Sequence, residues 1–137
     1  MRSAIPKVLH AICGRTLLGH AIAAARATQP AHLVVVVRHQ RDLVAAHVEQ
    51  LDPAIRIADQ DAVKGTGRAA ECGLEVLPPD LAGTILVTYG DVPLLTGETL
   101  EGLLARHTAD GSAVTVLTGE APDPTGYGRI VRDDSGA

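Results

Sequence analysis

Thr84-Ile85-Leu86-Val87-Thr88-Tyr89-Gly90-Asp91-Val92-Pro93-Leu94-Leu95 is the stretch on which the reading of this chain turns. It opens with a short apolar, β-branched run, the pattern of a strand buried on both faces of a parallel sheet. The run stops at Gly90-Asp91, Pro93 ends it, and Leu94 and Leu95 point the chain back toward a core. A carboxylate at the carboxyl tip of a strand stands where open α/β sheets bind ligands. The alternative is a strand followed by an ordinary polar turn, so the rest of the chain has to decide.

Upstream, Leu33 to Val37 is a second all-aliphatic strand, and Ile55 to Ala58 a third, alternating apolar and polar. Between and before them the period changes to that of helices. Thr16 to Ala27 carries a stripe of Leu17, Leu18, Ala21, Ile22 and Ala25, capped by Thr16 and stopped by Gln29-Pro30. Asp42 to Leu51 places Leu43, Val44, His47, Val48 and Leu51 inward, and Asp52-Pro53 breaks it. Thr66 to Leu77 places Ala69, Ala70, Leu74 and Leu77 inward and ends at Pro78-Pro79. Downstream, Thr96 caps a helix that buries Leu100, Leu103 and Leu104 and ends at Asp110-Gly111. Strands follow at Ala113 to Leu117 and Arg129 to Arg132, with a hairpin turn at Asp133 to Gly136. Met1 to Arg15 reads as irregular.

The order α-β-α-β-α-β-α-β-β implies a mostly parallel sheet covered by helices, a Rossmann-like doubly wound α/β fold. A helix comes first, with no strand before it, and the chain stops inside a hairpin. The expectation is therefore a partial domain over 1–137, lacking its first strand and its C-terminal part.

The totals exclude several classes. With 137 residues, 46% hydrophobic and 20% charged, the chain suits one soluble domain. There is no Trp and no Phe, so the core is aliphatic, and the two aromatics, Tyr89 and Tyr127, both lie beside glycines. A net charge of −4 and no basic run argue against nucleic acid or a membrane surface as partner. Cys13 and Cys72 lack CxxC spacing and read as reduced, buried thiols of a cytoplasmic protein. The six histidines show no metal-ligand spacing.

Several residues are candidates for chemistry, each with a plainer reading beside it. Lys7 follows Pro6 and precedes Val8-Leu9; it is a fixed cation for a phosphate or a surface lysine. An ammonium about 4 Å from a phosphate is worth roughly 4 kcal/mol at an effective dielectric near 20. Gly65-Thr66-Gly67 opens a helix whose free N–H groups suit an anion, or is a tight turn. Gln60 can read the edge of a base through its amide, or is a solvated loop residue. Asp91 suits Mg²⁺, which takes hard oxygen ligands alongside water and substrate phosphates, and a second protein ligand is then expected. Gly126-Tyr127-Gly128 is a backbone cradle or a bend.

In this order, Ile5-Pro6-Lys7-Val8-Leu9, Gly65-Thr66-Gly67, Tyr89-Gly90-Asp91-Val92-Pro93-Leu94 and Pro124-Thr125-Gly126-Tyr127-Gly128-Arg129-Ile130 resemble the motifs of the sugar-phosphate nucleotidyltransferases. The likeness runs from Met1 to about Arg132. It is to the uridyltransferase domains of bacterial enzymes that pair N-acetylglucosamine-1-phosphate uridyltransferase with glucosamine-1-phosphate acetyltransferase. The resemblance implies that Lys7 contacts substrate phosphate, that Gln60, Gly65 and Thr66 surround the nucleotide, and that Tyr89 and Gly90 line the site. It implies Asp91 as an Mg²⁺ ligand and the Gly128 amide as a contact to the sugar nucleotide. The implied reaction converts UTP and N-acetylglucosamine 1-phosphate to UDP-N-acetylglucosamine and pyrophosphate, for cell-wall precursor synthesis.

Departures from the family pattern set further expectations. A first strand with a glycine-rich loop and its arginine, a later Mg²⁺ ligand and the acetyltransferase β-helix domain are absent from these residues. Arg68 stands where relatives usually carry His. Little or no activity is therefore expected of the chain alone, and no oligomeric state is implied. The alternatives are a transferase for another sugar phosphate or nucleotide, and a non-catalytic nucleotide-binding remnant. A receiver-type signalling domain phosphorylated on Asp91 lacks the acidic pair and late lysine it needs.

Overall fold

The computed structural model describes residues 3–133. Its first elements lie where the sequence reads as irregular. Lys7–Leu9 is a 3-10 turn. Ala11–Ile12 (β1) then pairs antiparallel with Arg15–Thr16 (β2) around Cys13-Gly14. Both turn residues have positive φ, +52° and +78°, the backbone a two-residue hairpin of this hand requires. Cysteine is not a usual turn signal, so the hairpin is invisible in the sequence. It also leaves Cys13 exposed rather than buried, while Cys72 is buried.

The expected helices form with small shifts. α1 is Leu17–Ala27, and the Thr16 hydroxyl caps it by accepting from the Gly19 N–H at 3.0 Å. The same hydroxyl lies 2.8 Å from His47 Nε2, tying α1 to the next helix. Val34–Val37 forms β3, Arg41–Leu51 forms α2 and Arg56–Asp59 forms β4. β3 and β4 are parallel, with Val34 opposite Arg56 and Val37 opposite Asp59. α3 is Thr66–Glu75 and α4 is Gly97–Asp110, capped by Thr96 and ended by Gly111 in the left-handed region.

Alternation along β3 shows that both faces of the sheet are covered. Val35 and Val37 pack with Leu18, Ile22, Val44, Val48 and Ile55 in the main core. Val34 and Val36 point the other way, to α3. A Cβ built on Gly73 would lie 3.1 Å from Val36 Cγ2 and 3.9 Å from Val34 Cγ1, so glycine sets how closely α3 approaches. α4 packs on α1, and Leu100 is its buried anchor.

Two helices turn differently from their stripes. On α2 the buried residues are Val44, Ala45 and Val48, while Leu43 and Leu51 are exposed. On α3 Cys72 and Gly73 are buried, and Leu74 is exposed. The expected inward face of α3, with Ala69, Ala70, Leu74 and Leu77, fronts a groove instead of a packed core.

That groove explains the main difference from the sequence reading. Residues 84–88 do not form a buried strand: the segment makes no backbone–backbone hydrogen bond, and Ile85 and Val87 are each 55% exposed. A β-ladder needs a partner edge, and here a cavity of about 830 Å³ lies between residues 84–88 and Val34–Val36. Residues 113–117 and 129–132 likewise join no ladder, with Val114, Val116, Ile130 and Val131 exposed. The hairpin turn expected at Asp133 to Gly136 lies, past Asp133, outside the described residues.

Candidate functional site

Asp91 is brought to Lys7 by close backbone packing at Gly90. A Cβ there would lie 3.2 Å from Leu18 Cδ1 and 3.8 Å from Val8 Cγ1, so a larger residue would push the segment off α1 and the 3-10 turn. At this approach the Lys7 ammonium donates to Asp91 Oδ2 at 2.6 Å. The pair is open to solvent, with side chains 60% and 32% exposed. Among the described residues no group of three or more His, Cys, Asp or Glu is placed to hold a metal. Asp91 is therefore a single hard-oxygen donor, which suits a cation that keeps water and substrate phosphates in its shell.

Gln60, Gly65, Thr66, Tyr89 and Gly90 all line the cavity beside this pair. Gln60 follows β4, and its own N–H donates to Val37 O at 2.8 Å, extending the ladder by one step. Its side-chain Nε2 donates to Val63 O at 3.0 Å and Gly65 O at 3.1 Å. The amide thus holds the loop before α3 in place through Nε2, leaving Oε1 as its acceptor atom. Gly65 takes φ +126°, a conformation that side chains rarely adopt, and this lets the loop enter α3. Thr66 Oγ1 lies 3.5 Å from the Tyr89 hydroxyl, joining the start of α3 to the end of the 84–90 segment.

Arg68 is the residue whose role here is hardest to read from sequence. Its guanidinium donates to Asp61 at 2.9 Å, to Glu71 at 3.1 Å and to Glu75 at 2.9 Å. These carboxylates hold Arg68 above its ordinary pKa, the Asp61 hydrogen bond contributing most. In return the Arg68 hydrogen bond, and then the Val63 N–H, hold the Asp61 carboxyl below its usual range. Loop 61–65 is fastened at one end by Gln60 and at the other by Arg68. The only sequence signal is i, i+3 and i, i+7 spacing from Arg68 to two glutamates.

Gly128 is not brought to the cavity. It follows a turn at Pro124–Tyr127, where Gly126 takes φ +82° and the Tyr127 N–H donates to Pro124 O at 3.1 Å. Arg129 Nη1 gathers the carbonyls of Pro124 and Tyr127 at 2.8 and 2.6 Å. The Gly126-Tyr127-Gly128 stretch is thus a self-held turn on the surface.

Residues 1–135 match the MobA-like NTP transferase domain. The chain belongs to the MobA-like NTP transferase family. Membership makes the fold Rossmann-like and the chain a nucleotidyltransferase by family. Curated relatives of this MobA-like chain bear the name Bifunctional protein GlmU. The one from Micrococcus luteus is 61% identical over 141 residues, covering 99% of this chain and 28% of the relative. The one from Kineococcus radiotolerans is 60% identical over 136 residues, with the same shares. The one from Thermobifida fusca is 51% identical over 140 residues, covering all of this chain and 29% of the relative. The chain thus spans a little over a quarter of the length of these relatives. No helix among the described residues is long and apolar enough to cross a membrane.

Proposed function

We propose that this MobA-like chain carries a nucleotide and sugar-phosphate site for uridylyl transfer, forming UDP-N-acetylglucosamine and pyrophosphate from UTP and N-acetylglucosamine 1-phosphate. The observation that carries the reading is the convergence of the end of β4, the end of the 84–90 segment and the start of α3: Gln60, Gly65, Thr66, Tyr89 and Gly90 line one cavity, with Lys7 and Asp91 paired beside it. The likeness to the GlmU relatives supports a nucleotide and a sugar phosphate as the substrate classes.

In this reading the uracil sits against loop 60–66. With Nε2 engaged by two loop carbonyls, Gln60 presents an acceptor, which suits the N3–H of uracil. Thr66 and the N-terminal N–H groups of α3 face the nucleotide phosphates. An oxygen of the sugar phosphate attacks the α-phosphorus, and the bond to pyrophosphate breaks. Lys7 neutralises phosphate charge and positions the attacking group, since transfer of this kind needs placement and charge more than covalent help. Asp91 would hold Mg²⁺, whose chemistry when bound is to offset charge on the phosphates. Gly128 would reach the sugar nucleotide only if its turn moved inward. A reaction consuming UTP fits a cytoplasmic protein.

One observation favours a second reading, nucleotide binding without turnover: among the described residues no Lys or Arg lines the cavity. A pyrophosphate-release assay with UTP, Mg²⁺ and N-acetylglucosamine 1-phosphate tests both, alongside thermal shift with each of the four nucleoside triphosphates. Stabilisation by UTP above the other three, with turnover at least tenfold below a full-length GlmU, is the expected result. Equal response to all four nucleotides would overturn the uridylyl reading. Turnover within tenfold would overturn the expectation of weak activity.

A further inference from the structure

Loop 61–65 enters α3 without a hydrophobic anchor: residues 61–67 are all exposed, Val63 among them. Its shape rests on polar contacts. Asp61 Oδ1 accepts from the Val63 N–H at 2.9 Å. Gln60 Nε2 donates to the Val63 and Gly65 carbonyls. Gly65 O also accepts the Ala69 N–H at 3.1 Å, at the start of α3. Arg68 closes the circuit, with Nε and Nη2 each 2.9 Å from Asp61 Oδ2. The hydrogen bonds thus leave α3 at Arg68, pass through Asp61, Val63, Gln60 and Gly65, and return to α3 at Ala69. Arg38 adds one bond from the end of β3, to Ala62 O at 3.2 Å.

Arg68 is the third residue of α3, where the helix dipole disfavours a cation. The two edges of its guanidinium are divided. Nε and Nη2 face Asp61 on the loop, and Nη1 faces Glu71 and Glu75 on the helix. The glutamates fix the group from the helix side, and its side chain is 27% exposed. An ammonium has no such fork and cannot serve both edges in this way. Exposed ion pairs of this kind add little to stability. A loop already held in its binding shape instead lowers the ordering cost that a ligand meets.

We infer that Arg68 is a positioning residue for the nucleotide. Acting through Asp61, it sets the shape of loop 60–65 and so keeps the Gln60 amide beside the first N–H groups of α3. The shape of the loop stands on the contacts above, and its effect on a nucleotide rests on the proposed function. The rival explanation is plain charge, with Arg68 offsetting one of three carboxylates near an anionic ligand. The two differ in sign at Asp61. Asp61→Asn keeps the Oδ1 acceptor for Val63 but gives up the charge that meets Arg68. Positioning then weakens UTP binding, whereas charge alone strengthens it.

The test compares the whole chain with Arg68→Gln, Arg68→Lys, Asp61→Asn and the double variant Arg68→Gln/Asp61→Asn. Calorimetric titration with UTP and Mg²⁺ reads affinity, and ¹⁵N relaxation of the ligand-free chains reads loop order. Arg68→Gln should weaken UTP binding about fivefold or more, and Asp61→Asn about threefold. The double variant should match Arg68→Gln within about twofold, as residues acting through one contact do. Arg68→Lys should recover less than half of the loss. Order parameters at residues 62–65 should fall from about 0.85 in the parent to below about 0.6 in Arg68→Gln. The melting temperature should stay within about 3 °C. Tighter binding by Asp61→Asn, additive losses in the double variant, full recovery by lysine, an unchanged loop, or a melting temperature that falls with the affinity would each overturn the positioning role. A parent chain that binds no UTP would overturn the nucleotide reading and the effect on affinity with it, while the order parameters would still decide whether Arg68 shapes the loop.

Discussion

The Lys7 ammonium and the Asp91 carboxylate meet at 2.6 Å across 84 residues of sequence. The contact exists because Gly90 lets the 84–91 segment come down on Leu18 and Val8. An ion pair this exposed contributes about 0–1 kcal/mol to stability. Its members are therefore free to change partners when a nucleotide and a cation arrive. Asp91→Asn and Lys7→Met should each leave the melting temperature within about 3 °C of the parent. Both should reduce the Mg²⁺-dependent thermal shift with UTP by half or more. A shift that survives intact in Asp91→Asn would remove Asp91 from the proposed cation site.

Gln60 should matter for which nucleotide binds more than for folding. Gln60 is half-buried, and its side-chain bonds are to loop carbonyls. Gln60→Ala should weaken UTP binding about tenfold and reduce the preference for UTP over CTP. Isothermal titration with both nucleotides reads the effect.

The Asp61–Arg68 pair sets a pH dependence whose sign is fixed. The Asp61 carboxyl is held below the usual carboxylate range in the folded chain, chiefly by the Arg68 hydrogen bond. A depressed folded pKa gives stabilisation that is present above the unfolded pKa and lost as pH falls through the folded one. Order in loop 61–65 should therefore persist at pH 5 and fade in acid below about pH 4. Arg68→Gln should return the Asp61 titration toward 3.8, as NMR titration of its side-chain carboxyl would register. An Asp61 pKa unchanged in that variant would show that the guanidinium is not the cause.

Packing in the helix layer should be unforgiving. Leu100 is 2% exposed, and Leu100→Ala removes the anchor of α4 at a cost of about 2–4 kcal/mol. Gly97 faces Ala27 of α1 with no space for a methyl group, so Gly97→Ala forces the two helices apart at about 1–3 kcal/mol. Urea unfolding should show lower midpoints with unchanged slopes.

The helices and the β3–β4 pair were legible because each carries its own period and punctuation: Thr16 and Thr96 as caps, Gly111 as a stop, four consecutive valines as a strand, of which only Val37 is buried. Residues 84–88 have the composition of a strand and the solvent exposure of a loop. Composition reports what a segment prefers, while a ladder also needs a partner, and no local pattern states whether one is present. The β1–β2 hairpin was hidden by a cysteine in a position that glycine or asparagine usually marks. In the structure, Gln60, Gly65, Thr66, Tyr89 and Gly90 line one cavity, with the Lys7–Asp91 pair beside it. Gly128 is not among the residues lining the cavity, and its turn is closed by Arg129. Arg68 drew notice only as an odd residue after a glycine motif, because its three partners meet only once the loop has folded over α3.

The 3.5 Å contact between Thr66 and Tyr89 also gives the molecule an optical handle. With no tryptophan to absorb its emission, fluorescence from this chain comes from two tyrosines alone. Tyr127 stands 72% exposed on a distant turn and can be silenced as phenylalanine. What then glows is a single phenol at the mouth of the cavity, dimmed or brightened by whatever settles against it.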